Sequence, residues 1–117
     1  MKKITFMMAL LSIIAVQAAY AHPPTDMSLS FDKYTKMLKV NVSHAVSDPR
    51  THYVKEIEVS INGSKVLRHT LTKQDTDAAQ YVQYTLPDVE SGDIIRVDVR
   101  CSSFGKRMKE LKIDLED

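Results

Sequence analysis

The stretch EIEVSINGSKVLRHTLT, residues 56–72, decides the fold. Ile57, Val59 and Ile61 alternate with Glu56, Glu58 and Ser60. A period of two sends successive side chains to opposite faces of a strand, one buried and one wet. Asn62-Gly63 follows at once. Both residues tolerate the positive φ that a two-residue type I′ hairpin turn requires. The chain therefore doubles back here, with a return strand over about 65–72.

The same period recurs on either side of this hairpin. Leu29 and Phe31 alternate with polar neighbours, as do Leu38, Val40 and Val42. Val82, Tyr84 and Leu86 mark a further strand, closed by Pro87. Ser91-Gly92-Asp93 turns the chain into Ile95, Val97 and Val99, and Cys101 continues their parity. Leu111, Ile113 and Leu115 make the last strand, after a loop at 102–106 that contains Gly105. The polar stretch 73–79 reads as another loop. Seven short strands at regular spacing, with turn signals between them and no helical period, predict an all-β, immunoglobulin-like antiparallel sandwich.

The first 21 residues read as an export signal, with the domain over 22–117. Lys2 and Lys3 form a basic start, 4–16 is an almost continuous apolar run, and Ala19-Tyr20-Ala21 is a small-x-small cleavage site. The apolar run is shorter than the roughly 20 residues of a membrane span, so no anchor is expected after cleavage. The expected location is the periplasm or the exterior of the cell. Removing Lys2 and Lys3 takes the sixteen basic residues to fourteen against fifteen acidic ones. Nucleic acid, which calls for a basic patch, is not an expected partner.

The sequence contains one cysteine, Cys101. It cannot close an internal disulfide, so it is a buried thiol, half of an intermolecular bridge, or a ligand. The four histidines are His22, His44, His52 and His69. Neutral imidazole and thiolate are good ligands for iron, copper and zinc. His44 closes one strand and His52 opens the next, so their loop brings both to one rim of a sandwich. Cys101 ends a later strand and reaches the same rim; His22, at the mature terminus, can fold over it. His69 lies within a strand, is expected to face solvent, and is set aside. Taken singly, each residue has an ordinary reading: a loop histidine bonded to backbone, an apolar core thiol, a loose terminus. Three histidines and the sole cysteine at strand ends or termini together point to a metal site. Phe104 is expected to plug the core or rim, and Arg50 to be an ordinary exposed arginine.

The stretch HAVSDPRTHYVKEIEVSINGSKV, residues 44–66, resembles the superoxide reductase domain, the ferrous iron-binding part of desulfoferrodoxin and neelaredoxin. HYVKEIE at 52–58 is similar to that family's HYIEWIE, HPP at 22–24 to its early His-x-Pro segment, and CSSFG at 101–105 to its late Cys-x-x-His-Gly motif. The likeness spans nearly the whole mature chain in the right order. It implies a seven-stranded immunoglobulin-like fold and a mononuclear ferrous centre, with four histidines in a plane, an axial thiolate and a sixth position open to superoxide. By the resemblance, His22, His44 and His52 are in-plane ligands and Cys101 is axial, while Phe104 stands where the fourth histidine would be.

Cleavage before His22 suggests a substitute for that lost nitrogen. The new α-amine, with a pKa near 8, gives up its proton to a metal at little cost. Amine and imidazole of one terminal histidine, joined by a second histidine, form the arrangement called a histidine brace in copper proteins. The resulting expectation is an exported iron protein acting on superoxide or another small oxidant, with an external electron donor. The alternatives are a non-catalytic carrier of copper or iron, and an immunoglobulin-like interaction module whose site has decayed.

Overall fold

A computed structural model describes residues 23–116 of the chain. The expected export signal, residues 1–21, and His22 lie outside the described residues. Seven strands follow in order: β1 (Asp26–Asp32), β2 (Met37–Ser43), β3 (Val54–Ile61), β4 (Ser64–Thr70), β5 (Ala79–Thr85), β6 (Ile94–Cys101) and β7 (Lys106–Lys112). One sheet has the order β1-β2-β5 and the other β4-β3-β6-β7, with every pairing antiparallel. In the immunoglobulin plan the first, second and fifth strands share one sheet, and the third, sixth and seventh the other. The order here is the same, with β4 hydrogen-bonded beside β3.

The core is where the period-two pattern puts it. Leu38, Val40 and Val42 of β2 and Val82 of β5 are buried from one sheet. Ile57 and Val59 of β3 and Ile95, Val97 and Val99 of β6 are buried from the other. Cross-strand pairs such as Ile57–Val99 and Val59–Val97 line the inner face. Each such aliphatic side chain withdrawn from water contributes roughly 1.5–3 kcal/mol before entropy is counted. The β3–β4 turn uses Asn62 at φ 51° and Gly63 at φ 85°, the two left-handed residues that a type I′ turn demands.

Three expectations need correction. The last strand is not centred on Leu111–Ile113–Leu115; it is β7, several residues earlier. As an edge strand, β7 takes its place from its ladder with β6, Arg100 to Lys106 through Ile94 to Lys112. Its side chains are mostly exposed, so no apolar alternation marks it. Ile113 is buried from the tail instead, bonded through its backbone to Gly92 and Asp93. His69 does not face solvent. It is half-buried, and its Nδ1 lies 2.8 Å from the Tyr84 hydroxyl, tying β4 to β5 across the two sheets. Burial pushes the Tyr84 hydroxyl well above its usual pKa, so it stays protonated in that bond. Phe104 plugs nothing: it is 65% exposed on the β6–β7 loop.

Candidate metal centre

The β2–β3 loop, the β4–β5 loop and the β6–β7 loop meet at one end of the sandwich. Backbone bonds join the first two, from His44 N to Ala78 O, Val46 N to Asp77 O and Gln74 N to Pro49 O, all within 2.9 Å. Further bonds join the first and third, from Ser102 N to Tyr53 O at 2.8 Å and from Tyr53 N to the Ser102 hydroxyl oxygen at 3.1 Å. His44 sits one residue past β2, and His52 two residues before β3. The His52 amide donates to Asp48 O at 3.0 Å, which closes a turn and sets the ring's direction. Arg50, in the same turn, is exposed and paired with Asp48 at 3.3 Å, as expected of an ordinary surface arginine.

Cys101 is the last residue of β6 and stands opposite Val54. The ladder between β3 and β6 is irregular between Val54 and Glu56, which leaves Lys55 as an extra residue. Without that bulge, strict alternation from Ile57 would turn Lys55 inward and Val54 outward. With it, Val54 and Ile57 are both buried and Lys55 is exposed. The bulge therefore resets the parity of β3 just where it leads back to His52. β6 keeps strict alternation through Ile95, Val97, Val99 and Cys101, so the thiol points inward.

These placements bring His44, His52 and Cys101 together. Cys101 Sγ is 2.9 Å from His52 Nε2 and 3.6 Å from His44 Nε2. The two imidazoles meet edge to face, with centroids 4.7 Å apart and planes at 88°. One ligand atom from each of the three residues lies within 4.8 Å of the others. His44 is fully buried, Cys101 is 4% exposed and His52 is partly exposed. The group can hold a metal ion.

Metal–sulfur and metal–nitrogen bonds of about 2.3 and 2.0–2.1 Å at a tetrahedral angle set sulfur and nitrogen roughly 3.5–3.6 Å apart. The His44–Cys101 pair already has that spacing. The His52 ring, at hydrogen-bond distance from the sulfur, needs to withdraw by roughly 0.6 Å to reach it. Three protein ligands leave at least one coordination position for a further ligand or a substrate.

Comparison with protein-family models, curated proteins and solved structures found no match. The chemistry of the centre therefore rests on its own atoms. Three of the four expected ligands converge; the fourth, His22, lies outside the described residues. His69 is bonded to Tyr84 and has no part in the His44–His52–Cys101 group.

Two contributors carry no signal in the sequence. Gln74 is 2% exposed and bonds both the His44 ring and its backbone. It lies in a polar stretch with no periodicity, where nothing marks a glutamine as buried. Ser102 ties the Cys101 loop to Tyr53, a contact that depends on the β3–β6 register.

Next to Cys101 is a depression of about 500 Å³ that is also lined by Lys55, Arg100, Phe104 and Lys106. Its three cations are exposed. A concave, cationic wall raises the local concentration of small anions.

Proposed function

We propose that this chain is an exported, superoxide reductase-like protein that holds a mononuclear ferrous ion through His44, His52, Cys101 and His22. The observation that carries this reading is the convergence of two imidazoles, from the two ends of the β2–β3 loop, and the only thiol of the sequence, from the end of β6, within 4.8 Å of one another. Mixed imidazole and thiolate donors suit iron, copper and zinc.

Support for His22 comes from its neighbour. Gly105, in the loop after Cys101, has φ +102°, and a Cβ built on it would lie 2.7 Å from Pro23 Cβ. Only glycine lets Pro23 seat there. His22 is the residue next before Pro23 in the sequence.

A ferrous ion held by His44, His52 and Cys101 would supply the one electron that, with two protons, converts superoxide to hydrogen peroxide, an external donor restoring it. Cys101 would donate charge to the ion, and His44 and His52 would fix its position. Lys55, Arg100 and Lys106 favour an anionic oxidant.

A second reading, a periplasmic carrier of copper or iron without catalysis, draws on the exposed Phe104. That side chain offers no ligand where the resemblance expects a fourth in-plane histidine. Metal analysis of the purified exported protein, an optical spectrum after oxidation and superoxide consumption separate the readings. Stoichiometric iron, a thiolate-to-iron charge-transfer band and superoxide loss faster than with free iron support the first. Stoichiometric metal without superoxide loss supports the carrier. No stoichiometric metal defeats both and leaves an interaction module.

A further inference from the structure

Gln74 is a buried side-chain amide that touches the His44 ring, and its orientation is determined by its surroundings. Its Nε2 faces two carbonyl oxygens, His44 O at 2.7 Å and Thr76 O at 2.9 Å. Carbonyl oxygens only accept, so the NH2 end belongs there. Its Oε1 faces the Val54 amide at 3.2 Å, which only donates. Rotating the amide by half a turn would set oxygen against two oxygens and NH2 against an N–H. Three contacts fix the orientation before the histidine is considered.

The fourth contact then has one solution. Gln74 Oε1 lies 2.9 Å from His44 Nδ1. That oxygen cannot donate, so the proton of this bond sits on His44 Nδ1. A neutral His44 with Nδ1 protonated carries its lone pair on Nε2, the nitrogen 3.6 Å from Cys101 Sγ. Gln74 and His44 are both buried, so bulk water does not compete for either end of the bond.

We infer that Gln74 is the positioning residue of the centre: its amide locks His44 in the tautomer whose unprotonated nitrogen faces Cys101. The same amide joins three segments around the site. It holds the residue after β2 through His44, the first residue of β3 through Val54 and the β4–β5 loop through Thr76. Gln74 touches no reacting atom and acts through His44. Its consequence for metal binding rests on the proposed metal site, whereas the tautomer belongs to the metal-free protein and is measured separately.

The test has two arms. In metal-free wild-type protein labelled with nitrogen-15 at histidine, long-range proton–nitrogen spectra report which ring nitrogen of His44 carries hydrogen. Hydrogen on Nδ1 is expected; hydrogen on Nε2 overturns the inference, and this arm needs no variant. In the second arm, Gln74→Met keeps the side-chain length and removes both amide functions. Zinc(II) affinity, read by competition with a chromophoric chelator, is expected to fall by about 10–100-fold, the usual effect of losing a ligand's outer partner. The Nδ1–H signature of His44 is expected to be lost with it. A folded Gln74→Met that retains that signature overturns the inference even if it binds zinc more weakly, because its role is then structural. Wild-type protein with the expected tautomer and no zinc binding sustains the lock and defeats the metal reading.

Discussion

Cys101 and His52, 49 residues apart in sequence, have Sγ and Nε2 2.9 Å from each other. The β3–β6 ladder sets the sulfur, and the turn at Asp48 sets the ring. Neither residue alone says much; their contact depends on a bulge that restores the parity of β3 at Val54.

Cys101→Ser is expected to remove the thiolate-to-iron band from the oxidised, iron-loaded protein while leaving the far-ultraviolet circular dichroism of the sandwich unchanged. The sulfur lies at the end of β6, and the aliphatic core continues beneath it without it. A band that survives the substitution makes Cys101 a core residue and not a ligand.

His52→Ala and His69→Ala are expected to differ in kind. Removing His52 takes away a proposed ligand and is expected to lower the metal content of the purified protein. Removing His69 breaks the bond to Tyr84, at a cost of about 1 kcal/mol in chemical denaturation, and leaves metal content intact. Equal losses of metal from both variants discredit the site.

Gly105→Ala is expected to be costly although the change is one methyl group. The backbone there has φ +102°, and the added Cβ meets Pro23 at 2.7 Å. Strain of this kind costs on the order of 1–3 kcal/mol. Displacing Pro23 also detaches the proposed His22 ligand, so zinc affinity falls together with stability. Unchanged affinity in the folded variant removes His22 from the ligand set.

The outer face of the four-stranded sheet predicts an acid dependence. The Glu58 carboxyl is held down to about 2, first by a hydrogen bond with Glu56 and then by Arg68 and Lys65. Arg68 lies 2.8 Å and Lys65 3.3 Å from it. A lowered folded-state pKa contributes stability that is full above the unfolded value, near 4.5, and is lost as the pH falls through about 2. Denaturant midpoints between pH 5 and pH 2 should therefore fall less steeply for Glu58→Gln than for the wild type. Parallel curves contradict this.

Most of the fold was legible because its central strands carry one wet and one dry face. Val40, Val59 and Val97 sit in strict alternation, and Asn62-Gly63 names its own turn. β7 was not legible, since the ladder with β6 and not a pattern of its own places its charged residues. The direction of His69 was obscured by charged and polar neighbours, Arg68 and Thr70, which suit an exposed strand equally well. In the site, His44, His52 and Cys101 could be named from their places at strand ends. Gln74 could not, because a buried amide in a polar loop is set by tertiary hydrogen bonds that leave no periodicity behind. The bulge at Lys55 was hidden for a related reason: an extra residue shows only when two strands are laid side by side.

X-ray absorption at the metal edge of the metal-loaded protein shows whether Cys101 and the two histidines bind the ion. One sulfur is expected in the first coordination shell, at about 2.3 Å for zinc, together with the multiple-scattering signature of at least two imidazoles. A shell of nitrogen and oxygen alone, with no sulfur, would contradict it.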